Sequence, residues 1–245
     1  MTHRGTGDRP SGVGHRLALV TAGVTGVLIV AGGLVTNTGA ALAVPDWPTT
    51  FGHNMFLFPW SGMVGGVLYE HSHRLLGALV GLLTLALAAV LWVTERRRWL
   101  GALGVAAVAL VGVQGLLGGL RVLARSSELA IIHGCLAQAF FALAIALCVF
   151  TSTAWRSGAA PIPVRGMGHL PWLSVAGVGV VYLQIVFGAL ATHAGWMTLH
   201  LGGALGTTLV VGPLAGWVLR LHAGRPELAG PARVMGLLLV VQLAL

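Results

Sequence analysis

Six uninterrupted apolar runs constrain this chain more than any motif in it: Leu17–Val35, Leu75–Val93, Trp99–Leu120, Leu129–Phe150, Leu170–Ala191 and Met197–Leu219. Each approaches the ~20 residues that a helix needs to cross about 30 Å of hydrocarbon. Backbone groups in lipid find no water, so runs of this kind must satisfy their own hydrogen bonds as helices. Only 8% of the 245 residues are charged and 56% are apolar, too little polar surface for a soluble domain of this length. Cytosolic enzymes, nucleic-acid binders and disordered chains are excluded together. A seventh run begins at Val234. It gives about 18 Å of helix, too short to span, and is expected to be the start of a truncated helix.

The formal charge of +8 rests on 14 basic residues, all of them Arg, set between the apolar runs. Arg4, Arg9 and Arg16 precede the first run and Arg96, Arg97 and Arg98 follow the second. Arg156 and Arg165 follow the fourth, and Arg220, Arg225 and Arg233 the sixth. All of these share one side, against Arg74, Arg121 and Arg125 on the other. The positive-inside rule puts the N-terminus in the cytoplasm. Heavy Arg use without Lys points to a GC-rich bacterial gene, hence a bacterial cell membrane. The expected fold is an all-α integral membrane bundle with no nucleic-acid partner. Cys135 and Cys148 fall on one run, about 20 Å apart along a helix and beyond disulfide reach.

The end of the first run, Gly33-Leu34-Val35-Thr36-Asn37-Thr38-Gly39, resembles the end of the fifth, Gly188-Ala189-Leu190-Ala191-Thr192-His193-Ala194-Gly195. After each, the next span enters with a histidine. Two pseudo-repeated four-helix halves explain this. Residues 1–16 would be a cytoplasmic tail, 17–155 the first half and 166–245 an incomplete second half, with about seven spans present.

Ionisable groups within spans are costly and mark functional sites by default. His73 lies just before the second run, His133 near the start of the fourth and His200 near the start of the sixth. Neutral imidazoles at similar depth on neighbouring helices can supply axial ligands to a haem iron. Gly77, Gly81, Gly134, Gly202, Gly203 and Gly206 would give the porphyrin room, and Arg74 would pair with a propionate. The competing account is interhelical packing, with Gln114 and Gln184 as hydrogen-bonding residues between helices. No matching Cys or carboxylate set favours zinc. His71 and His193 could stand in as ligands, whereas His3, His15, His169 and His222 read as solvated. Glu70 shares a helix face with His73 and Arg74. Its spacing fits a simple ion pair and a carboxylate beside a haem pocket equally well.

Together, the Gly-Leu-Val-Thr-Asn-Thr-Gly segment, Pro45-Asp46-Trp47-Pro48, Glu70-x-x-His73-Arg74, His133 and the Gly-Ala-Leu-x-Thr-His segment with His200 resemble the haem A synthase (cytochrome oxidase assembly) family. The resemblance covers Gly32 to about Thr208. It implies an eight-helix bundle in which His73 and His133 hold substrate haem O and Glu70 is the essential acid. His200 would be one ligand of haem b, its partner lying on an eighth span that this sequence lacks. The implied reaction oxidises a porphyrin methyl of haem O towards haem A. Haem O synthase, cytochrome oxidase assembly proteins and an electron donor are the implied partners, within the lipid bilayer. A cysteine pair found in many members is replaced here by Ala43-Val44 and Thr49-Thr50, which removes any disulfide role for that loop. The alternative function is a non-catalytic b-type haem protein, for electron transfer or haem delivery. A transporter or assembly factor with packing histidines is the third.

Overall fold

The computed structural model describes residues 12–157 and 168–244. Arg4, Arg9, Arg165 and His3, and the tail as far as residue 11, lie outside them. The order is α1 (Gly12–Asn37), α2 (Gly66–Thr94), α3 (Arg98–Ala124), α4 (Ser127–Thr151), the single turn α5 (Thr153–Arg156), α6 (Leu170–Ala194), α7 (Met197–His222) and α8 (Pro226–Ala244). Seven of these are long and apolar enough to cross a membrane, and no strand occurs among the described residues. The protein is a multi-pass helical membrane protein.

Two boundaries differ from the sequence expectation. Helix α1 starts at Gly12, so Arg16 is helical rather than part of a tail. Helix α8 starts at Pro226 rather than Val234. Proline is tolerated in the first helical turn, and Pro231 forfeits only one hydrogen bond near the start. The 19 residues of α8 extend about 28 Å, so this helix is a full candidate span.

The helices form two compact units, α1–α5 and α6–α8. In the first, α1 packs on α2, α2 on α3, α3 on α4, and α4 back on α1. The ring places α2 and α4 on one diagonal. Its apolar core combines Ala18 and Ala22 of α1, Val80, Leu87 and Leu91 of α2, Leu100 and Ala107 of α3, and Phe140, Ala144 and Leu147 of α4. These residues lie in the first half of α1 and α3 and from the middle to the end of α2 and α4, so this cluster fills one half of the bundle. That half is also stapled by polar groups. Arg97 and Arg156 contact Glu95 at 2.9 and 3.0 Å, and Arg97 donates to the Phe150 carbonyl at 3.0 Å. His15, expected to be solvated, lies 3.1 Å from the Thr151 hydroxyl. That hydroxyl donates to Leu147, so His15 Nδ1–H is the donor. The opposite end of the ring is left for the chemistry.

In the second unit α6 packs on α7 and α7 on α8. Its core is small, centred on Leu214, Val218 and Ala232.

Candidate functional site

The loop between α1 and α2 closes the open end of the first unit. Asp46 organises its turn: the carboxylate accepts N–H groups of Phe51 and Gly52 at 2.8 and 2.9 Å and the Thr49 hydroxyl. Burial alone would raise the Asp46 pKa, but the bonds from Gly52, Thr49 and Phe51 outweigh it and pull it from 3.8 to about 2. The loop is then tied to α2. Arg74 donates from one terminal nitrogen to the carbonyls of Asp46 and Thr49 at 2.7 and 3.1 Å. The other reaches the Val44 carbonyl and Glu70 Oε1, both at 2.8 Å. Glu70 Oε2 accepts the Val44 N–H at 2.9 Å. The pair is buried, with Glu70 5% exposed at its side chain, so it is more than a solvated i, i+4 contact. His71 is taken up by the same loop, 3.0 Å from the Thr50 hydroxyl and with its ring tilted against Phe58 at 5.1 Å between centroids. A third anchor joins the loop to α3. Arg121 donates to the Ala41 carbonyl at 3.0 Å, and the Trp47 indole lies so close over Gly119 that any Cβ there would enter the ring.

His73 and His133 lie under this roof. They sit seven and six residues into α2 and α4, helices that run in the same direction on one diagonal. The two imidazoles are within electrostatic reach of each other. Nδ1 of each is buried without a hydrogen-bond partner. Buried polar atoms are rarely left unpaired, and such exceptions call for a functional explanation. Arg121 lies within electrostatic reach of both imidazoles and of Glu70. The structure brings Glu70, Arg74, His73 and His133 together in one unit. His200 belongs to the other, three residues into α7, and α8 carries no histidine to face it.

The glycines expected to flank the histidines are only partly the ones that do. A Cβ at Gly77, Gly81, Gly134, Gly202 or Gly206 would meet nothing within 4 Å, while one at Gly203 would strike Gln184 and Phe187. The imidazole contacts come from the preceding helix. A Cβ at Gly32, Gly118 or Gly188 would stand 3.0, 3.2 or 3.3 Å from Cε1 of His73, His133 or His200. Gly77 and Gly81 continue the His73 stripe by one and two turns, so that face opens on free space below the imidazole.

These contacts expose a repeat that the sequence reading registered one residue out. Gly32, Gly118 and Gly188 each precede by seven residues a left-handed position: Gly39 at φ 70°, Arg125 at φ 50° and Gly195 at φ 77°. The next helix then carries the histidine. Gly32 therefore aligns with Gly188, and Thr36 and Thr192 donate back to those two carbonyls at 3.2 and 3.0 Å. Four residues before the glycine stand Gln114 on α3 and Gln184 on α6. Both donate across to the histidine helix, to the carbonyls of His133 and His200 at 3.1 Å. The interhelical role expected for the glutamines holds; that their partners are the candidate ligands was not foreseen. The corresponding α1 residue is Leu28.

No three His, Cys, Asp or Glu side chains converge as a metal cluster among the described residues. A two-ligand axial site needs none. Two neighbouring imidazoles, each with an unpaired Nδ1 and glycine against its edge, and open space along the α2 stripe fit a planar macrocycle. The hollow beside Gly212, Pro213, Gly216, Trp217 and Arg220 shares no residue with any histidine site.

Residues 61–200 match the family described as cytochrome oxidase assembly protein, COX15-CtaA. Two curated relatives are haem A synthases. That of Alkalihalophilus pseudofirmus is 31% identical over 175 residues, 69% of this chain and 57% of that protein. That of Shouchella clausii is 28% identical over 195 residues, 78% of this chain and 60% of that protein. A protoheme IX farnesyltransferase of Roseiflexus is 32% identical over 129 residues, covering 43% of this chain and 24% of that protein. The chain thus spans about three-fifths of the length of the two haem A synthases. No solved structure matches.

Proposed function

The chain belongs to the cytochrome oxidase assembly protein family, and from that premise we propose that it is a haem A synthase-like oxidoreductase whose substrate, haem O, binds between His73 and His133. The observation that carries this is the pair of imidazoles on diagonal helices within electrostatic reach, each with glycine at its edge and an unpaired Nδ1. The names of two relatives, both haem A synthases, support it. The haem iron supplies the redox chemistry that converts a porphyrin methyl towards the formyl of haem A. The protein's side chains orient the macrocycle and control access. His73 and His133 fix it from both faces, and the loop held by Arg74 and Trp47 excludes water from above.

The terminal nitrogens of Arg74 are committed to that loop, so its function is to hold the roof, and Arg121 is the better-placed cation for a propionate. Glu70 stands at the rim, and its carboxylate exchanges a proton with the pocket when the Val44 contact opens. His200 is proposed to ligate haem b, the resident cofactor of the second unit. The N-terminus is placed in the cytoplasm, with the roofing loop outside. Haem O synthase, other cytochrome oxidase assembly proteins and an electron donor are the proposed partners; similarity to part of a protoheme IX farnesyltransferase supports the first.

One observation favours the second reading, a non-catalytic b-type haem carrier: both Glu70 oxygens are already engaged, by Arg74 and Val44. Glu70→Gln tests the two: its amide oxygen still accepts the Val44 N–H while its amide nitrogen gives Arg74 no acceptor, so retained haem is the control that the loop stays in place. Membranes containing the full-length protein, supplied with haem O, reductant and oxygen, should yield hydroxylated haem and haem A on extraction and chromatography. Glu70→Gln should abolish these products and keep bound haem. Unchanged haem O from the wild-type protein would overturn the enzyme reading.

A further inference from the structure

Gln184 makes two contacts with one residue. Its Nε2 lies 3.1 Å from the His200 carbonyl oxygen and 3.1 Å from His200 Nδ1, and its Oε1 is buried with no partner. A carbonyl oxygen can only accept, so the amide nitrogen belongs on that side. Nδ1 then receives an N–H and must carry a lone pair. The neutral imidazole therefore has its proton on Nε2, the tautomer that cannot bind iron through Nε2. Gln114 on α3 shares the carbonyl contact but not the one to the ring, since His133 Nδ1 has no partner. Gln114 donates to the His133 carbonyl at 3.1 Å, is 8% exposed, and leaves its Oε1 unpaired.

We propose that Gln184 is a positioning residue that sets the tautomer of His200, and that its amide turns over when iron binds. The inference rests on haem ligation by His200 as proposed above. Ligation at Nε2 requires the imidazole proton to move to Nδ1; the ring stays neutral and no electrons are exchanged. A protonated Nδ1 needs an acceptor, and metal-bound histidines regularly find one in a second residue that orients the ring. The unpaired Oε1 meets that need once the amide rotates by half a turn. Turning the amide exchanges the bond donated to Nδ1 for one accepted from Nδ1–H and forfeits the bond to the His200 carbonyl, a loss that iron ligation must offset. His73 lacks such a glutamine, because Leu28 occupies the equivalent position on α1.

The test uses the full chain with 15N-labelled histidine in detergent, first without haem. His200, assigned by its loss in His200→Ala, should show an unprotonated Nδ1. Gln184→Glu, which can only accept, should reverse it to a protonated Nδ1, and Gln184→Leu should leave a mixture. With protohaem as the probe, Gln184→Leu should weaken binding about tenfold, the lower end of losses for outer residues. Gln184→Glu should bind at least as tightly as the wild type and lower the midpoint potential. Unchanged His200 resonances in both variants, with helix content and His133 signals intact, would overturn the inference. Tautomers that respond to Gln184 in a protein that binds no haem would uphold the positioning role and sink the proposed function instead.

Discussion

The two units solve the same packing problem to different degrees. In the first, four helices close a ring, and α2 alone buries Glu70, His71, Val80, Thr84, Leu87, Ala88 and Leu91. In the second, three helices stand in a row and α6 buries only Gly177, with Trp172, Val175 and Val178 among its exposed residues. Apolar side chains lose nothing by facing lipid, so an open row is tolerable in a membrane. What it lacks is an interior where buried polar groups are held from all sides. The Gly-to-left-handed-cap hairpin with a histidine on the next helix occurs in both units. Only the first adds a diagonal partner and a roof. The local motif positions one ligand in each unit, and the closed ring of the first adds the second ligand and the roof.

Each prediction presses on that difference. The largest effect is expected for Glu70→Ala, which removes the carboxylate between Arg74 and the Val44 N–H. Breaking one side of a buried ion pair costs about 3–5 kcal/mol. Thermal unfolding and protease nicking of the loop should show it, while Gln184→Leu in the second unit should cost about 1 kcal/mol for a lost hydrogen bond. Gly119→Ala comes next. The added methyl meets the rigid Trp47 indole, so the loop must lift, at about 1–3 kcal/mol for overpacking. Gly203→Ala meets the Gln184 amide oxygen, which can turn away, and one side of the Phe187 ring, a smaller clash than with the Trp47 indole, and should cost less. Unequal quenching of Trp47 fluorescence would separate the two.

Smaller still is Gly32→Ala. Its methyl would press on His73 from 3.0 Å, against 3.3 Å for Gly188→Ala on His200. A displacement of a few tenths of an ångström should weaken haem binding in the first unit more than in the second, read by titration of each variant. The mildest probe is pH. Asp46 has a folded pKa lowered from 3.8 to about 2, so its contribution is fully present above about pH 4. It should fade as pH falls towards 2, because the unfolded carboxylate takes up a proton first. Acid titration of Trp47 emission should show loop loosening in that window, and Asp46→Asn should remove the transition. A loop that stays equally ordered at pH 2 and 5 would break the comparison on its most distinctive feature.

The spans were legible because apolar runs of membrane length admit one structure, and the histidines because charge-capable residues stand out among aliphatics. The α8 start was not, since Pro226, Glu227, Pro231 and Arg233 read as loop chemistry while their actual setting is the opening turns of a helix. The imidazole-facing glycines were sought on the histidine helices. Glycine matters where the neighbouring helix approaches, and that depends on packing across the pair rather than on spacing along one helix. The repeat carried the missing signal: a glycine seven residues before each left-handed cap, with glutamine four residues earlier on α3 and α6. The sequence position of Arg74 says nothing of the loop that folds back over it and takes up its terminal nitrogens.

The most direct measurement is the reduced-minus-oxidised spectrum of the full chain loaded with haem O, compared among His73→Ala, His133→Ala and His200→Ala. The account predicts a six-coordinate, bis-imidazole spectrum that is lost in either of the first two variants and kept in the third. Loss with His200→Ala alone, or retention in both first-unit variants, would contradict the placement of the substrate between His73 and His133.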